Sequence, residues 1–375
     1  MIYLHYYETE SGFTEERNNN YEEPWTSYIE ETDKVNYNMT EDEKLLTMPL
    51  TVEALGNGSI SWALGNRTLQ YSKNKGDWST MGSGTSISVS EGDEVCFKGT
   101  NVYYCGCTLT CTAQFNLKGN FLSIVYGDNF SNENAIPDNN YFAQNIFSGN
   151  TTLIDASELK LAATVLRNYC YYNMFNGCTN LTKAPELSAT TIISSCYSSM
   201  FKGCTSLTEA PKLPAKTLDY ACYNSMFYGC TSLTKAPELP ATTTARACYQ
   251  NMFYGCTSLT KAPELPATST TQDCYNSMFR GCTSLVKAPE LNALNVAEAS
   301  YQRMFYGCTN LNYVKAMFTT YFGPSSSGWA RSIEYWLSGV SATGTFVKNT
   351  NATWTDTGAS GVPNGWTIEY ETPSE

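Results

Sequence analysis

Three patterns of apolar and polar positions follow one another along the chain. Residues 1–47 are polar and acidic, with Asn18-Asn19-Asn20 and Glu22-Glu23-Pro24-Trp25 but no sustained apolar period. That pattern predicts an extended leader with anchoring aromatics that orders against another surface. Over 48–126 short alternating runs are separated by turn residues. Leu50-Thr51-Val52-Glu53-Ala54-Leu55 precedes Gly56-Asn57-Gly58, Thr68-Leu69-Gln70-Tyr71-Ser72 precedes Lys73-Asn74-Lys75-Gly76-Asp77, and Ser86-Ile87-Ser88-Val89 precedes Glu91-Gly92-Asp93. Strands at such spacing with Gly, Asn and Asp turns predict a small antiparallel β-sandwich.

The third pattern is a repeat. The pair Met174-Phe175 recurs at 200, 226, 252, 278 and 304, always 26 residues apart. Cys178, Cys204, Cys230, Cys256, Cys282 and Cys308 keep the same interval, as do Cys170, Cys196, Cys222, Cys248 and Cys274, with Ser300 in the sixth place. Residues 226–242 recur letter for letter as 252–268, and a degenerate unit, Ile146-Phe147-Ser148-Gly149-Asn150, lies 28 residues ahead of the regular series as a cap at its start. A fixed period of this length predicts a solenoid, in which each unit buries its apolar stripe only against its neighbours. Within a unit, Cys222, Met226 and Cys230 at i, i+4 and i+8 predict a helix of two to three turns that Gly229 interrupts. Leu233, Ala236 and Leu239 predict a short strand, and Pro237 and Pro240 a loop. The fold expected is therefore α+β and multidomain: a leader over 1–47, a β-sandwich over 48–126, a leucine-rich-repeat-like solenoid over 127–313 and a C-terminal capping region over 314–375.

Composition narrows the chemistry. The 35 acidic against 23 basic residues give a net charge of -12, which repels phosphate backbones and anionic lipid heads, so neither nucleic acid nor membrane insertion is expected. No stretch approaches the roughly 18 to 20 apolar residues of a spanning helix. The start, Met1-Ile2-Tyr3-Leu4-His5-Tyr6-Tyr7, has neither a basic nor an apolar signal region. The 27 tyrosines suit a recognition surface. His5 is the only histidine, which removes Ser-His-Asp, Cys-His and multi-histidine zinc chemistry, so no catalytic residue and no cofactor is expected.

Units of the form Met-Phe-x-Gly-Cys-Thr-Ser-Leu, with Cys-Tyr four residues ahead, as in Cys222-Tyr223 before Met226-Phe227, resemble the BspA-like leucine-rich repeats of gut Bacteroidetes and their phages. The resemblance covers about residues 145–340, and Trp336-Leu337-Ser338-Gly339 through Phe346, with Gly361-Val362-Pro363-Asn364-Gly365-Trp366, is similar to the C-terminal cap of that family. It implies adhesion or ligand display without catalysis. A secreted adhesin of this family would begin with a signal peptide. Its absence directs the expectation to a virion structural protein at the virion surface: a fibre, decoration or receptor-binding protein. The leader would then dock to other virion proteins, and the repeats would meet a host-surface glycan or protein; a homo-oligomer is compatible with this. The alternative is a bacterial cell-surface adhesin.

Aligned side chains supply the candidate sites. Tyr171, Tyr197, Tyr223, Tyr249, Tyr275 and Tyr301 form one column, with packing between units as its simpler reading. Asn176, Lys202, Tyr228, Tyr254, Arg280 and Tyr306 form a second, more variable column, and its Tyr228, Tyr254, Arg280 and Tyr306 are the candidate binding surface, with rings to stack sugars or receive a protein. The segments ahead of each first-column cysteine also vary, as in Thr217-Leu218-Asp219-Tyr220-Ala221 against Thr243-Thr244-Ala245-Arg246-Ala247. The repeated cysteines are expected to be reduced and buried. Cys96, Cys105, Cys107 and Cys111 lack paired C-x2-C knuckles, and free, disulfide-bonded and metal-bound states all stay open. Lys183, Lys235, Lys261 and Lys287, with Glu186, Glu238, Glu264 and Glu290, read as a solvated face of weak ion pairs, with signs exchanged at Glu209 and Lys212.

Overall fold

The computed structural model describes residues 6–9, 12–15, 39–100, 106–321 and 332–372. The chain divides into two compact units, Met1–Lys44 and Leu45–Glu375. In the first, β1 (Tyr6–Thr9) and β2 (Gly12–Glu15) pair antiparallel, Tyr6 opposite Glu15 and Thr9 opposite Gly12. Two short paired strands thus lie within the region expected to form an extended leader. The anchoring aromatic Trp25 lies outside the described residues. Helix α1 (Glu41–Thr47) starts on a reciprocal cap: Thr40 Oγ1 accepts from the Glu43 amide at 3.2 Å, and Glu43 Oε2 accepts from the Thr40 amide at 2.8 Å.

The alternating runs that follow become β3 (Leu50–Ala54), β4 (Gly58–Ala63), β5 (Thr68–Lys73), β6 (Ser79–Gly82), β7 (Ser86–Val89), β8 (Glu94–Lys98), β9 (Thr108–Cys111) and β10 (Phe115–Asn120). A four-residue helix, α2 (Ser123–Tyr126), and a 3-10 turn, Gly127–Asn132, come next. A six-stranded sheet runs β11-β10-β3-β8-β5-β6 and a three-stranded one β7-β4-β9, where β11 is Leu153–Lys160. Period-two patterning turns Val95, Phe97, Leu69 and Met81 inward. Trp62 of the small sheet meets Phe97 of the large one edge-on, with ring centroids 5.5 Å apart. β11 pairs parallel with β10, Phe115 beside Leu153 and Asn120 beside Lys160, so hydrogen bonding carries this sheet directly into the repeats.

The repeats differ from expectation in one respect that decides their geometry: no helix forms over 221–230. Ala221, Ser225 and Gly229 have φ of 49°, 55° and 72°, and the equivalent residues of the other regular units are left-handed too. Each left-handed residue is the third of one turn, and Ala221 and Ser225 also open the next. Within the unit, Asn224 N donates to Ala221 O, Met226 N to Tyr223 O and Tyr228 N to Ser225 O. The amides in between point to the next unit, Tyr223 N to Cys248 O, Ser225 N to Gln250 O, Phe227 N to Met252 O and Gly229 N to Tyr254 O, at 2.7 to 3.0 Å. Half of the backbone donors thus bond locally and half bond across to the neighbouring unit. A helix would turn its donors beyond the first turn to carbonyls of the same unit and leave no such alternation toward the neighbour.

Four-residue turns also place Cys222, Met226 and Cys230 inward, and each is fully buried. The phenylalanines from Phe147 to Phe305 stack at 5.4 to 5.7 Å, and the tyrosines from Tyr171 to Tyr301 at 5.7 to 6.0 Å. Burying one such ring contributes roughly 1.5 to 3 kcal/mol, and the stack about 0.5 to 1.5 kcal/mol more. The predicted strand shrinks to single parallel bridges, Glu209 to Lys235 and Lys235 to Lys261, because prolines follow at once. Short strands β12 (Asn295–Val296) and β14 (Thr320–Tyr321) pair beside the last regular unit.

Beyond Tyr306 the interval lengthens. Phe305 N bonds Trp336 O and Gly307 N bonds Ser338 O, and a parallel sheet of β13 (Tyr313–Ala316), β15 (Thr345–Asn349) and β16 (Thr367–Glu371) extends the levels. Trp336 Nε1 donates to Gly361 O and Trp366 Nε1 to Ser341 O, so both motifs of the predicted C-terminal region take part in the same packing. The described residues are mostly β with few helices. None of those helices is long and apolar enough to cross a membrane.

Candidate functional site

The second column becomes a continuous ladder. Lys202 Nζ lies 5.0 Å from the Tyr228 ring centre, Tyr228 and Tyr254 stack at 4.4 Å, and the Arg280 guanidinium lies 5.1 Å from Tyr254 and 4.7 Å from Tyr306. The backbone places these rungs. Each follows the inward Phe of its unit and donates its amide to the left-handed residue three before it, as Tyr228 N does to Ser225 O. The side chain therefore turns away from the core while its neighbours above and below share its register. Tyr306, at the end of the row, is 38% exposed; Tyr228, Tyr254 and Arg280 are half-buried against one another. Partial burial and the adjacent Tyr254 hold the Tyr228 phenol above its usual pKa, with Arg280 acting in the opposite direction.

All four candidate residues are brought together, but not in the form expected. The facing rings of Tyr228 and Tyr254 cover each other, and Lys202 and Arg280 lie over the adjoining faces. Sugar stacking on a ring face is thus blocked at those two tyrosines. What the ladder offers a ligand is ring edges, phenolic oxygens and two cations. Lys202, aligned with the candidates, joins them as the first rung.

The other tyrosine column is core. Tyr171, Tyr197, Tyr223, Tyr249, Tyr275 and Tyr301 are all at most 2% exposed, and burial drives their phenol pKa values upward, with nearby thiols adding to the shift. The thiols are core as well. Cys204, Cys230, Cys256, Cys282 and Cys308 each donate Sγ–H to the carbonyl of a phenylalanine 29 residues earlier at 3.0 to 3.2 Å, as Cys230 does to Phe201. Burial pushes Cys222, Cys230, Cys274 and Cys308 up to about 12, so they are poor nucleophiles and poor metal ligands at neutral pH.

In the β-domain Cys96 contacts Thr51 Oγ1 at 3.2 Å, Cys107 takes a bond from Arg67 at 3.6 Å, and burial pushes Cys111 up to about 11. Cys105 lies outside the described residues. The charged columns behave as a solvated face, with Lys183–Asp155 at 3.0 Å and Lys235–Glu209 at 3.7 Å.

Two features escaped the sequence reading. Four residues before the rungs at 228, 254, 280 and 306 stand side-chain amides that link units: Asn224 Nδ2 donates to Gln250 Oε1 and Asn276 Nδ2 to Gln302 Oε1, and Gln302 Nε2 donates to Glu334. The recurrence of Asn or Gln every 26 residues was the available signal. At the start of the series Tyr141 stacks on Tyr169 at 4.6 Å, hidden from a 26-residue count by the 28-residue first interval.

Buried columns of matching side chains joined unit to unit define a repeat protein whose outer rows vary. The family model for the BspA type leucine rich repeat region matches in six copies, over 125–260 and 220–325, which together exceed half the chain. The chain belongs to the BspA-type leucine-rich-repeat family. No curated protein and no solved structure matches it.

Proposed function

We propose that this chain is a non-catalytic binding protein whose stacked repeats form a solenoid, closed at its C-terminal end by the 314–375 region, and that the row from Lys202 to Tyr306 is its contact surface. The observation that carries the reading is the ladder itself. A scaffold whose buried columns are held constant unit by unit leaves outer rows free to vary, and this row gathers aromatics and arginine, the residue types that dominate interface energies. Because the Tyr228 and Tyr254 faces are covered, the partner fitted best is a protein or a hydroxyl-rich glycan gripped at the ring edges. A catalytic role finds no support in thiols that burial holds protonated.

The setting we propose is the surface of a phage that infects gut Bacteroidetes, where residues 1–47 join other virion proteins and the repeats meet the host. A bacterial cell-surface adhesin is equally consistent with BspA-type repeats. Mass spectrometry of purified particles and of washed cell envelopes separates the two: the chain in particles at structural stoichiometry supports the virion setting, and its confinement to envelopes overturns it. Deleting residues 1–47 should leave the rest folded and remove it from the particle; normal occupancy after deletion would refute the anchoring role.

A further inference from the structure

A cavity lies in a different part of the unit, over the proline loops. The unit at 204–217 departs from its neighbours at three positions: Glu209 where the others have Lys183, Lys235, Lys261 and Lys287; Lys212 where they have Glu186, Glu238, Glu264 and Glu290; and Lys216 where they have Thr190, Thr242, Thr268 and Leu294. All three departures line one open cavity of about 690 Å³, a size suited to a small ligand. Pro211, Pro214, Pro237 and Pro240 form its apolar walls. Lys235 is paired with Glu209 at 3.7 Å. Among the described residues the side chains of Lys212, Lys216 and Glu238 have no ion-pair or hydrogen-bond partner. The cavity therefore offers two unpaired ammonium groups from one unit and one unpaired carboxylate from the next.

Prolines have no amide hydrogen, and the backbone at Glu209, Lys235 and Lys261 is already engaged in bridges between units, so these walls have little to offer an added peptide strand. The ligand has to bring an apolar face for the pyrrolidine rings, an anionic group for Lys212 and Lys216, and hydroxyl donors for Glu238. A purely acidic peptide meets the second demand but brings no hydroxyl donor for Glu238 and no ring face for the prolines. We infer that this cavity binds a carboxylated sugar of the uronic acid class, with ring C–H groups on the prolines, the carboxylate between Lys212 and Lys216, and a vicinal diol on Glu238. This site is independent of the tyrosine ladder.

The test is calorimetric titration of the full chain with an oligogalacturonate, an uncharged oligogalactose of equal length and a short polyglutamate. The variant K212E/K216T carries the letters that other units already hold, so its fold is expected to be kept; circular dichroism and an unchanged unfolding midpoint check this. Saturable binding of the uronate alone, weakened roughly tenfold or more in K212E/K216T and unchanged when Tyr228, Tyr254 and Tyr306 are replaced by Phe, is the expected result. Absence of uronate binding, equal binding by the double variant, or equal binding of the neutral sugar or of polyglutamate overturns it.

Discussion

Gly229→Ala separates the turn geometry of the repeats from the helix that their spacing suggests. Gly229 sits at φ 72°, and a Cβ built there has nothing within 4 Å, so the substitution tests backbone conformation with no steric contribution. An L-residue with a Cβ in the left-handed region costs about 1–2 kcal/mol. Reduced freedom of the unfolded chain returns roughly 0.4–1 kcal/mol of that. The expected outcome is a net loss of about 1 kcal/mol, and close to twice that when Gly281→Ala, two units away, is added. Gly229→Asn should lose less, since Asn tolerates this conformation. In a helix the sign reverses, because Gly to Ala there gains about 0.5–1 kcal/mol. Urea unfolding followed by circular dichroism, with fitted midpoints and slopes, reads the difference. A stabilising Gly229→Ala, the sign a helix would give, would refute the turn-based account of the unit.

Three further outcomes follow from the same geometry. Native protein should leave the cysteines from Cys178 to Cys308 unmodified by iodoacetamide at neutral pH, and stay folded with reductant and chelator, because burial both shields the thiols and raises their pKa; mass shifts at those positions without unfolding would contradict this. Cys256→Ala should destabilise by roughly 1–3 kcal/mol, measured by denaturant midpoint, since it removes a buried group and one of the bonds to Phe227 O. Asp93 is held at about 2 against an ordinary 3.8, first by its bond with Lys73, so its contribution is complete above about pH 4 and fades as pH falls toward 2. Asp93→Asn should then lower stability at pH 7 and flatten the acid limb of the stability profile, and an unchanged limb would exclude the pairing.

Much of this architecture was legible because the repeat constrains it many times over. The 26-residue columns gave the adjacency of Phe227 with Phe253 and of Tyr228 with Tyr254, since equal spacing in register means spatial adjacency. The local conformation was not legible from Cys222, Met226 and Cys230 alone. On a helix i and i+8 diverge by about 80°, still within a broad apolar stripe, so a four-residue turn period and a 3.6-residue helix give the same letters. The discriminating signal was the glycine recurring as Gly177, Gly203, Gly229, Gly255, Gly281 and Gly307 where left-handed backbone is needed; Ala221 and Ser225 take the same conformation with no such mark in the letters. The parallel pairing of β11 with β10 was also hidden, because its partners, such as Phe115 and Leu153, lie across an irregular stretch with no periodic mark. Ring-face coverage at the ladder depends on rotamers, which the column of letters does not fix.

That coverage determines how the proposed binding surface is to be tested. Alanine at Tyr228, Tyr254 and Tyr306 would remove a stack and the cation–π contacts, each a stability term of about 0.5–1.5 kcal/mol, and so confound folding with binding. Phenylalanine keeps the rings and deletes only the phenolic edge. The most direct measurement is adsorption of labelled chain to a panel of gut Bacteroidetes cells, comparing the unaltered protein with Y228F/Y254F/Y306F and with R280A. The account predicts an unfolding midpoint near that of the unaltered chain for the triple phenylalanine variant and at least a tenfold loss of adsorption in both variants. Undiminished adsorption by a well-folded triple variant and by R280A would contradict it.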